Sequence, residues 1–272
     1  MEKIVSSKKF KTVYTGFAGI VIPVLAVVAF ILFFFVMANP NNFQGNNPAN
    51  LPKPGNYLGI IYKGGIIVPM LMTILLMVIT FSIERWITIT KAKGKGRIAD
   101  FVVRVYQKLA NPDLDAAIEE CDNQRGSVAN VIKAGLLKYK EMMGVKDMNK
   151  DQKIVAIKQE IEEATSLELP ILEQNLVILA TIAPLATLMG LLGTVLGMIR
   201  AFSALATAGA PDAVALATGI SEALINTAFG IGSSALAIIF YNYFTTKIDK
   251  MTYSIDEAGV AIVQNFASHQ SK

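Results

Sequence analysis

The stretch LATIAPLATLMGLLGTVLGMIRAF, residues 179–202, decides the fold of this chain. It holds one charge, Arg200, and overlaps an uncharged run, residues 176–199, that is long enough to cross roughly 30 Å of hydrocarbon as a helix. Three further runs of this kind cover residues 13–38, 66–83 and 223–244. With 53% hydrophobic residues, the chain is too apolar for a soluble domain of 272 residues. The sequence therefore predicts an all-α, polytopic helical membrane protein with four spans.

These runs divide the chain into membrane and water-exposed segments, with long helices extending from the spans into a cytoplasmic helical domain. The predicted segments are a cytoplasmic N-terminus (1–12), an extra N-terminal span (13–38), a periplasmic loop (39–65), a second span (66–84), a cytoplasmic helical domain (85–175), a third span (176–202), a short periplasmic loop (203–219), a fourth span (220–244) and a cytoplasmic tail (245–272). The first span is read as a retained anchor, because its apolar core is about twice the 7–15 residues of a secretory signal.

Lysine and arginine predict the orientation of the chain. They precede the first span and follow the second and fourth spans, whereas the loop between the third and fourth spans has none. The positive-inside rule then puts both termini in the cytoplasm. We expect the basic residues to contact lipid headgroups and Trp86 to anchor the interface. The residues concerned are Lys3, Lys8, Lys9, Lys11, Arg85, Lys91, Lys93, Lys95, Arg97, Lys247 and Lys250.

The cytoplasmic domain is predicted to be helical. Residues 97–110, 113–126 and 127–144 each have helical spacing or helix-end signals, with a break at Asn111–Pro112, Ser127 as an N-cap and Gly144 just past the end of the third helix. Residues from about 151 to 205 predict one long helix that runs into the third span, kinked at Pro170 and Pro184.

The sequence offers no signature of catalysis. Residues 98–175 lack a P-loop, a zinc spacing, a dinucleotide turn and a Ser/His/Asp set. Cys121 and His269 are each the only residue of their kind, so neither a disulfide nor a metal site is expected. The net charge of +4 gives no indication of nucleic-acid binding. We therefore expect a protein that is not an enzyme and has no cofactor.

The third and fourth spans each have one face of small, weakly polar side chains. On a helical wheel the third span groups Ala180, Ala183, Thr187, Gly190, Thr194, Gly197 and Ala201, and the fourth groups Ala223, Thr227, Gly230, Ser234 and Ala237. Such faces permit close helix packing, and they can also line a shared polar interior that accepts something else.

The predicted depths of two threonines in the membrane favour a shared polar interior over helix packing alone. Thr194 lies about eight residues, roughly 12 Å, before the outer end of the third span, and Thr227 lies about seven residues past the start of the fourth. The two hydroxyls should therefore lie at nearly the same level. Glu222, about one helical turn from the outer end of the fourth span, is the only acidic residue that could carry protons there. Hydroxyls cannot do so, because they do not titrate near neutral pH. Proton conduction would thus need a carboxylate from a partner.

The two motifs LATIAPLATLMGLLGTVLGMIRAF (179–202) and GISEALINTAFGIGSSALAIIFYNYF (219–244) resemble the MotA/TolQ/ExbB proton-channel family, and most of all its ExbB/TolQ branch. The likeness extends over about residues 60 to 250 and includes AAIEECDNQRGSVANVIKAGL (116–136). The extra N-terminal span departs from the three-span plan of that branch, while the flagellar stator branch also has four spans.

The resemblance implies a homopentamer around two copies of an ExbD/TolR-like single-span protein, whose membrane aspartate carries protons. It implies a place in the inner membrane of a Gram-negative bacterium, among membrane lipids, and a TonB-like protein that energises outer-membrane transport. The expected pore-lining residues are Thr194, Thr227, Thr187, Ser234 and Glu222. The expected helix-packing or partner-facing residues are Gly190, Gly193, Gly197, Gly230 and Pro184.

Arg200 falls where the family pattern has no charge. We expect it either to reach the outer headgroups or to repel cations at the mouth of the channel.

Other functions remain open on the residues alone. A MotA-like or TolQ-like stator subunit would serve motility or envelope maintenance. A scaffold without conduction would use the small faces only to pack helices. A small-solute transporter is disfavoured, because the sequence lacks internal repeats, broken-helix pairs and a charged midplane site.

Overall fold

The computed structural model describes residues 2–111, 113–206 and 212–269. The α-helices are α1 (Glu2–Ile31), α2 (Tyr57–Tyr62), α3 (Ile67–Lys93), α4 (Ile98–Ala110), α5 (Leu114–Gln124), α6 (Ser127–Gly144), α7 (Lys150–Glu173), α8 (Leu176–Ala206) and α9 (Ala213–His269). A π-helical turn, Leu32–Met37, continues α1. Within the described part of the chain, Phe43 and Pro52 form an isolated bridge but no strand is present. Four stretches are long and apolar enough to cross a membrane, which confirms the all-α, four-span prediction.

The chain folds into two compact units. Unit 1 comprises Met1–Ser82 and Val177–Tyr241, and unit 2 comprises Ile83–Leu176 and Asn242–Lys272. Most of each apolar run falls in unit 1, and most of the charged residues fall in unit 2.

In unit 1 the extra N-terminal span packs against α3. Ala29, Phe33 and Met37 form a buried cluster with Val68 and Met72 of α3. The cluster also contacts two partly buried residues of α9, Ile225 and Phe229. This packing ties the extra span to one of the two helices that carry the small faces.

The loop after the extra span is held by its asparagines. The Asn42 side chain donates to the carbonyls of Val36 and Met37, both at 3.0 Å, and accepts from Asn56 at 3.0 Å. Asn56 in turn caps α2 by accepting from the Gly59 amide at 3.0 Å. Asparagine suits this role because its side chain can both donate and accept.

The helices extend beyond several predicted spans. The N-terminal segment is helical from Glu2, and α2 lies inside the predicted loop 39–65. Of the predicted loop 203–219, residues 203–206 belong to α8 and residues 213–219 to α9, where Asp212 caps the start by accepting from the Val214 and Ala215 amides at 3.0 Å each. Residues 207–211 of that loop, residues 270–272 of the predicted tail and Pro112 lie outside the described residues.

Unit 2 is a helical domain with a core of bulky side chains. It contains α4 to α7 and the end of α9, and helices α6 and α7 pack closely along each other. Tyr139 of α6 donates to Asn265 at 3.0 Å, and Asn265 donates to the Leu109 carbonyl at 3.1 Å. The largest side chains with almost no exposure here include Phe101, Ile132, Leu136, Ile157 and Phe266.

Two predicted helix ends in unit 2 are wrong. Gly126, with φ +89°, is the N-cap of α6, and Ser127 is the first helical residue. The glycine takes the position because a left-handed backbone is needed there. At the other end, Gly144 is the last helical residue.

The prediction of one helix from about 151 to 205 is also wrong, because α7 ends at Glu173 and α8 begins at Leu176. Gln174 is extended and Asn175 has φ +62°, a left-handed conformation that asparagine tolerates. Pro170 and Pro184 both lie inside helices.

Arg85 satisfies the carbonyls at this break. Its guanidinium donates to the Leu172 and Ile171 carbonyls at 3.1 and 3.3 Å and pairs with both oxygens of Glu84 at 2.6 and 2.5 Å. Arg85 is fully buried, so the expected contact with lipid headgroups is wrong for this residue. A planar, five-donor guanidinium suits a site that must pair with a carboxylate and cap a helix end at once.

Candidate functional site

The small faces of α8 and α9 lie against each other. A Cβ added at Gly197 would lie 2.7 Å from the Ala223 nitrogen and 2.8 Å from the Gly219 oxygen. A Cβ at Gly190 would lie 3.1 Å from both the Asn226 oxygen and the Gly230 Cα. The backbones thus approach too closely for side chains at these positions, as small-residue contacts between membrane helices do.

The other two predicted glycines belong to the same contact. A Cβ at Gly230 would lie 2.7 Å from the Ala186 oxygen, and one at Gly193 would overlap the Asn226 side chain. All four glycines therefore face another helix of this chain. Pro184, in contrast, has an exposed side chain.

Two hydroxyls meet inside this contact. Thr194 of α8 and Thr227 of α9 are hydrogen-bonded to each other through their Oγ1 atoms. Each hydroxyl also lies within reach of its own helix, at 3.2 Å from the Gly190 carbonyl and 3.1 Å from the Ala223 carbonyl. Both threonines are partly buried. Because each hydroxyl has one proton and several acceptors, the pair can switch donors without a charge change.

The structure does not bring the other two predicted hydroxyls to this pair. Thr187 is exposed and bonds the Ala183 carbonyl of its own helix at 3.5 Å. Ser234 is buried, and no hydrogen bond links it to Thr194 or Thr227 in the described ranges.

Glu222 forms an ion pair with Arg200. The Glu222 side chain is 5% exposed and the Arg200 side chain 54% exposed, so one end of the pair is buried and the other is open. Gly65, with φ +76°, lies so close that a Cβ there would overlap the carboxylate. Neither expectation for Arg200 included a partner within the chain, and this contact supplies the reason for its charge.

Asn226 is a site residue that the sequence analysis missed. It is fully buried and adjacent in sequence to Thr227, and its Nδ2 donates to the Gly64 carbonyl at 2.9 Å. Its Oδ1 accepts no hydrogen bond from the described residues. An amide inside an otherwise apolar run was the signal, since buried polar groups in membrane helices are costly without a role.

Neither metal-ligating side chains nor the thiol forms a reactive centre in the ranges that the structure describes. No cluster of histidine, cysteine or carboxylate residues could hold a metal ion there. Cys121 is buried, as expected for a small packed side chain, and burial raises the pKa of its thiol to about 12. The thiol is therefore protonated at neutral pH and unreactive.

The helices and the site together define a helical membrane protein whose two small-faced spans enclose a polar contact. Comparison with known proteins assigns it further. The MotA/TolQ/ExbB proton channel family matches residues 123–257, which include Thr194, Glu222 and Thr227. The chain is 30% identical over 199 residues to the Tol-Pal system protein TolQ of Haemophilus influenzae, covering 71% of this chain and 86% of that protein. This chain belongs to the MotA/TolQ/ExbB proton channel family.

Two other relatives differ in how much of their length matches this chain. TolQ of Pseudomonas aeruginosa is 26% identical over 207 residues, covering 71% of this chain and 84% of that protein. The biopolymer transport protein ExbB of Pseudomonas putida is 33% identical over 86 residues, covering 32% of this chain and 26% of that protein. The TolQ likeness is therefore long and the ExbB likeness local.

Proposed function

We propose that this chain is the multi-span subunit of a motor that conducts protons through the inner membrane of a Gram-negative bacterium, with both termini in the cytoplasm. The observation that carries this proposal is the Thr194–Thr227 hydroxyl pair inside the α8–α9 contact. The two hydroxyls are partly exposed, and because a hydroxyl can both donate and accept, the pair can also orient water or a carboxylate.

The titrating group of the path is proposed to come from a partner. Glu222 is occupied by Arg200, and the described part of α8 carries no carboxylate. We propose a single-span ExbD/TolR-like protein whose membrane aspartate approaches the hydroxyl pair. Glu222 and Arg200 then fix the entry to the path near the outer end of the two spans.

The packing indicates which surface of α8 that partner would meet. The glycines of α8 and α9 contact the other helix of the same chain, so they leave no groove for a partner helix. Thr187 and Pro184 are exposed on α8, and Thr194 is partly exposed. We propose that these residues face the partner, with five copies of this chain around two partner helices.

For the process that the motor drives, the TolQ likeness supports a role in envelope maintenance, because it extends along most of both chains. An ExbB-like role with a TonB-like protein is the second candidate, supported by the local match to ExbB. Deletion of the gene separates the two: detergent sensitivity supports the first, and loss of TonB-type uptake with an intact envelope supports the second.

The experiment for proton conduction uses the complex purified from its own host through a tag on this chain. After reconstitution into vesicles with a pH-sensitive dye inside, Thr227→Val is expected to lower proton flux about tenfold, the factor given by a lost hydrogen bond of about 1.4 kcal/mol.

The matched control is Thr181→Val, which removes an exposed α8 hydroxyl that donates to the Val177 carbonyl of its own helix at 2.7 Å. Its flux should equal that of the unmodified complex. Equal flux from Thr227→Val and Thr181→Val would reject the hydroxyl path and favour a scaffold that only packs helices.

A further inference from the structure

Unit 2 carries a groove that the proposed proton path does not use. It is formed where the end of α3 and the start of α4 meet α9, within the unit. Its charged lining consists of Lys93, Arg97, Lys247, Lys250, Asp249 and Glu257. Four cations against two carboxylates make it a net basic site.

The lysines of the groove are available to a ligand. Lys93, Lys247 and Lys250 form no ion pair with a carboxylate of the described residues, and Arg97 reaches Asp100 only at 3.9 Å with both side chains exposed. An exposed pair of this kind contributes little and is easily exchanged. The groove therefore presents positive charge that the chain itself does not neutralise.

An aromatic pair lies beside Lys247, one of the lining residues, although neither ring is itself part of the lining. Trp86 and Tyr243 stack with ring centroids 5.6 Å apart, and the Lys247 nitrogen lies 5.0 and 4.5 Å from the two ring centroids. Trp86 and Lys247 each lie three residues, about 4.5 Å, beyond the end of an apolar run. That is the depth of the headgroup layer, where tryptophan and tyrosine concentrate.

Two apolar side chains of the groove are buried. Ile89 and Met251 line it and are 4% and 3% exposed, respectively. Basic and buried apolar side chains in one lining, next to interfacial aromatics, match a phosphate ester that is joined to glycerol and acyl chains. A soluble phosphate would use the basic side chains but not the apolar ones.

We propose that this groove binds the headgroup of an anionic phospholipid. Lys93, Lys247 and Lys250 contact the phosphate, and the aromatic pair contacts the glycerol region. The inference depends on the membrane placement of the chain and not on proton conduction, so a failed flux experiment leaves it intact.

Trp86, the only tryptophan in the chain, reports on the site. The full-length protein is reconstituted with phosphatidylcholine that contains either brominated phosphatidylglycerol or brominated phosphatidylcholine, at equal mole fraction. Bromine quenches tryptophan on contact. We expect stronger quenching by the phosphatidylglycerol.

The test variant is Lys93→Gln/Lys250→Gln, because both lysines line the groove and neither lies over the rings. It should weaken the preference for phosphatidylglycerol at least about fivefold. Lys91→Gln/Lys95→Gln removes the same charge from exposed positions outside the groove and should keep the preference.

An equal loss in both variants would show general surface attraction and overturn the proposal. So would the absence of any preference in the unmodified protein. Relief of quenching by millimolar inorganic phosphate, beyond that given by sodium chloride of equal ionic strength, would assign the groove to free phosphate and also overturn it.

Discussion

The α8–α9 contact of unit 1 and the helical core of unit 2 differ in the size of the side chains that pack the helices. In α8–α9 the closest approaches are made by glycines, and a hydroxyl pair lies between them. In unit 2 the buried positions are filled by bulky side chains such as Phe101, Leu136 and Phe266. The same chain thus packs one helix pair of unit 1 with almost no side-chain volume and the helices of unit 2 with large volume.

The difference follows from the solvent of each region. In water, burying bulky apolar side chains stabilises a helix pair, at about 25 cal/mol for each Å² removed from water. In lipid that gain is absent, so close van der Waals contact and hydrogen bonds hold the helices together. A span that packs through glycine can also keep hydroxyls at the contact, which a bulky core would exclude.

The largest expected effect comes from adding volume to the glycine contact. Gly197→Leu would force α8 and α9 apart, because even a Cβ there lies 2.7 Å from the Ala223 nitrogen. We expect destabilisation of at least about 3 kcal/mol and loss of the monodisperse protein in size-exclusion chromatography.

Gly232→Leu is the control, since a Cβ at Gly232 meets nothing within 4 Å and the residue is exposed. It should leave the elution profile unchanged. If Gly197→Leu elutes like Gly232→Leu, the close α8–α9 contact is refuted.

The next effect comes from removing volume in unit 2. Leu136 is 0% exposed, so Leu136→Ala leaves a cavity and should destabilise the domain by about 2–5 kcal/mol. Its neighbour Leu137 is 43% exposed, and Leu137→Ala should change stability by no more than about 0.5 kcal/mol. Thermal unfolding followed by circular dichroism measures both, and equal shifts would contradict the core described for unit 2.

A smaller effect is expected at the ion pair of unit 1. Arg200→Gln leaves the buried Glu222 without its partner, at a cost of about 1–2 kcal/mol because the arginine is half exposed. Adding Glu222→Gln should restore most of the lost thermal stability. A double variant as unstable as Arg200→Gln alone would mean that the pair is not what holds this end of the helices.

The sequence predicted much of the membrane part. Uncharged runs are enough to identify four spans, and counting residues from the outer end placed Thr194 and Thr227 at one level, where the structure joins them by a hydrogen bond. Helical counting works here because two antiparallel helices joined by a short connection keep a fixed register.

The same register could have paired Arg200 with Glu222. Arg200 lies six residues after Thr194 in α8, and Glu222 lies five residues before Thr227 in α9. Considering Arg200 on its own helix suggested only lipid or solvent as its surroundings. The Arg200–Glu222 ion pair could therefore have been predicted from the sequence.

Contacts between segments that lie far apart in the chain could not be predicted from the sequence. The bond from Asn226 to the Gly64 carbonyl joins residues 162 apart in the chain, and Arg85 reaches the Leu172 carbonyl across 87. The break at Asn175 has the same origin, since a left-handed asparagine in place of a continued helix is stabilised by tertiary partners that the local pattern does not contain.

We propose that Thr194 and Thr227 act as one unit in proton conduction, and a double-mutant cycle on proton flux is the sharpest test of that coupling. Thr194→Val, Thr227→Val and the double variant are compared in reconstituted vesicles of the purified complex. Because each single change removes the same hydrogen bond, the double variant should lose about as much flux as either single, about tenfold, with unchanged elution in size-exclusion chromatography. Losses that multiply in the double variant, or a double variant that conducts like the unmodified complex, would contradict the claim.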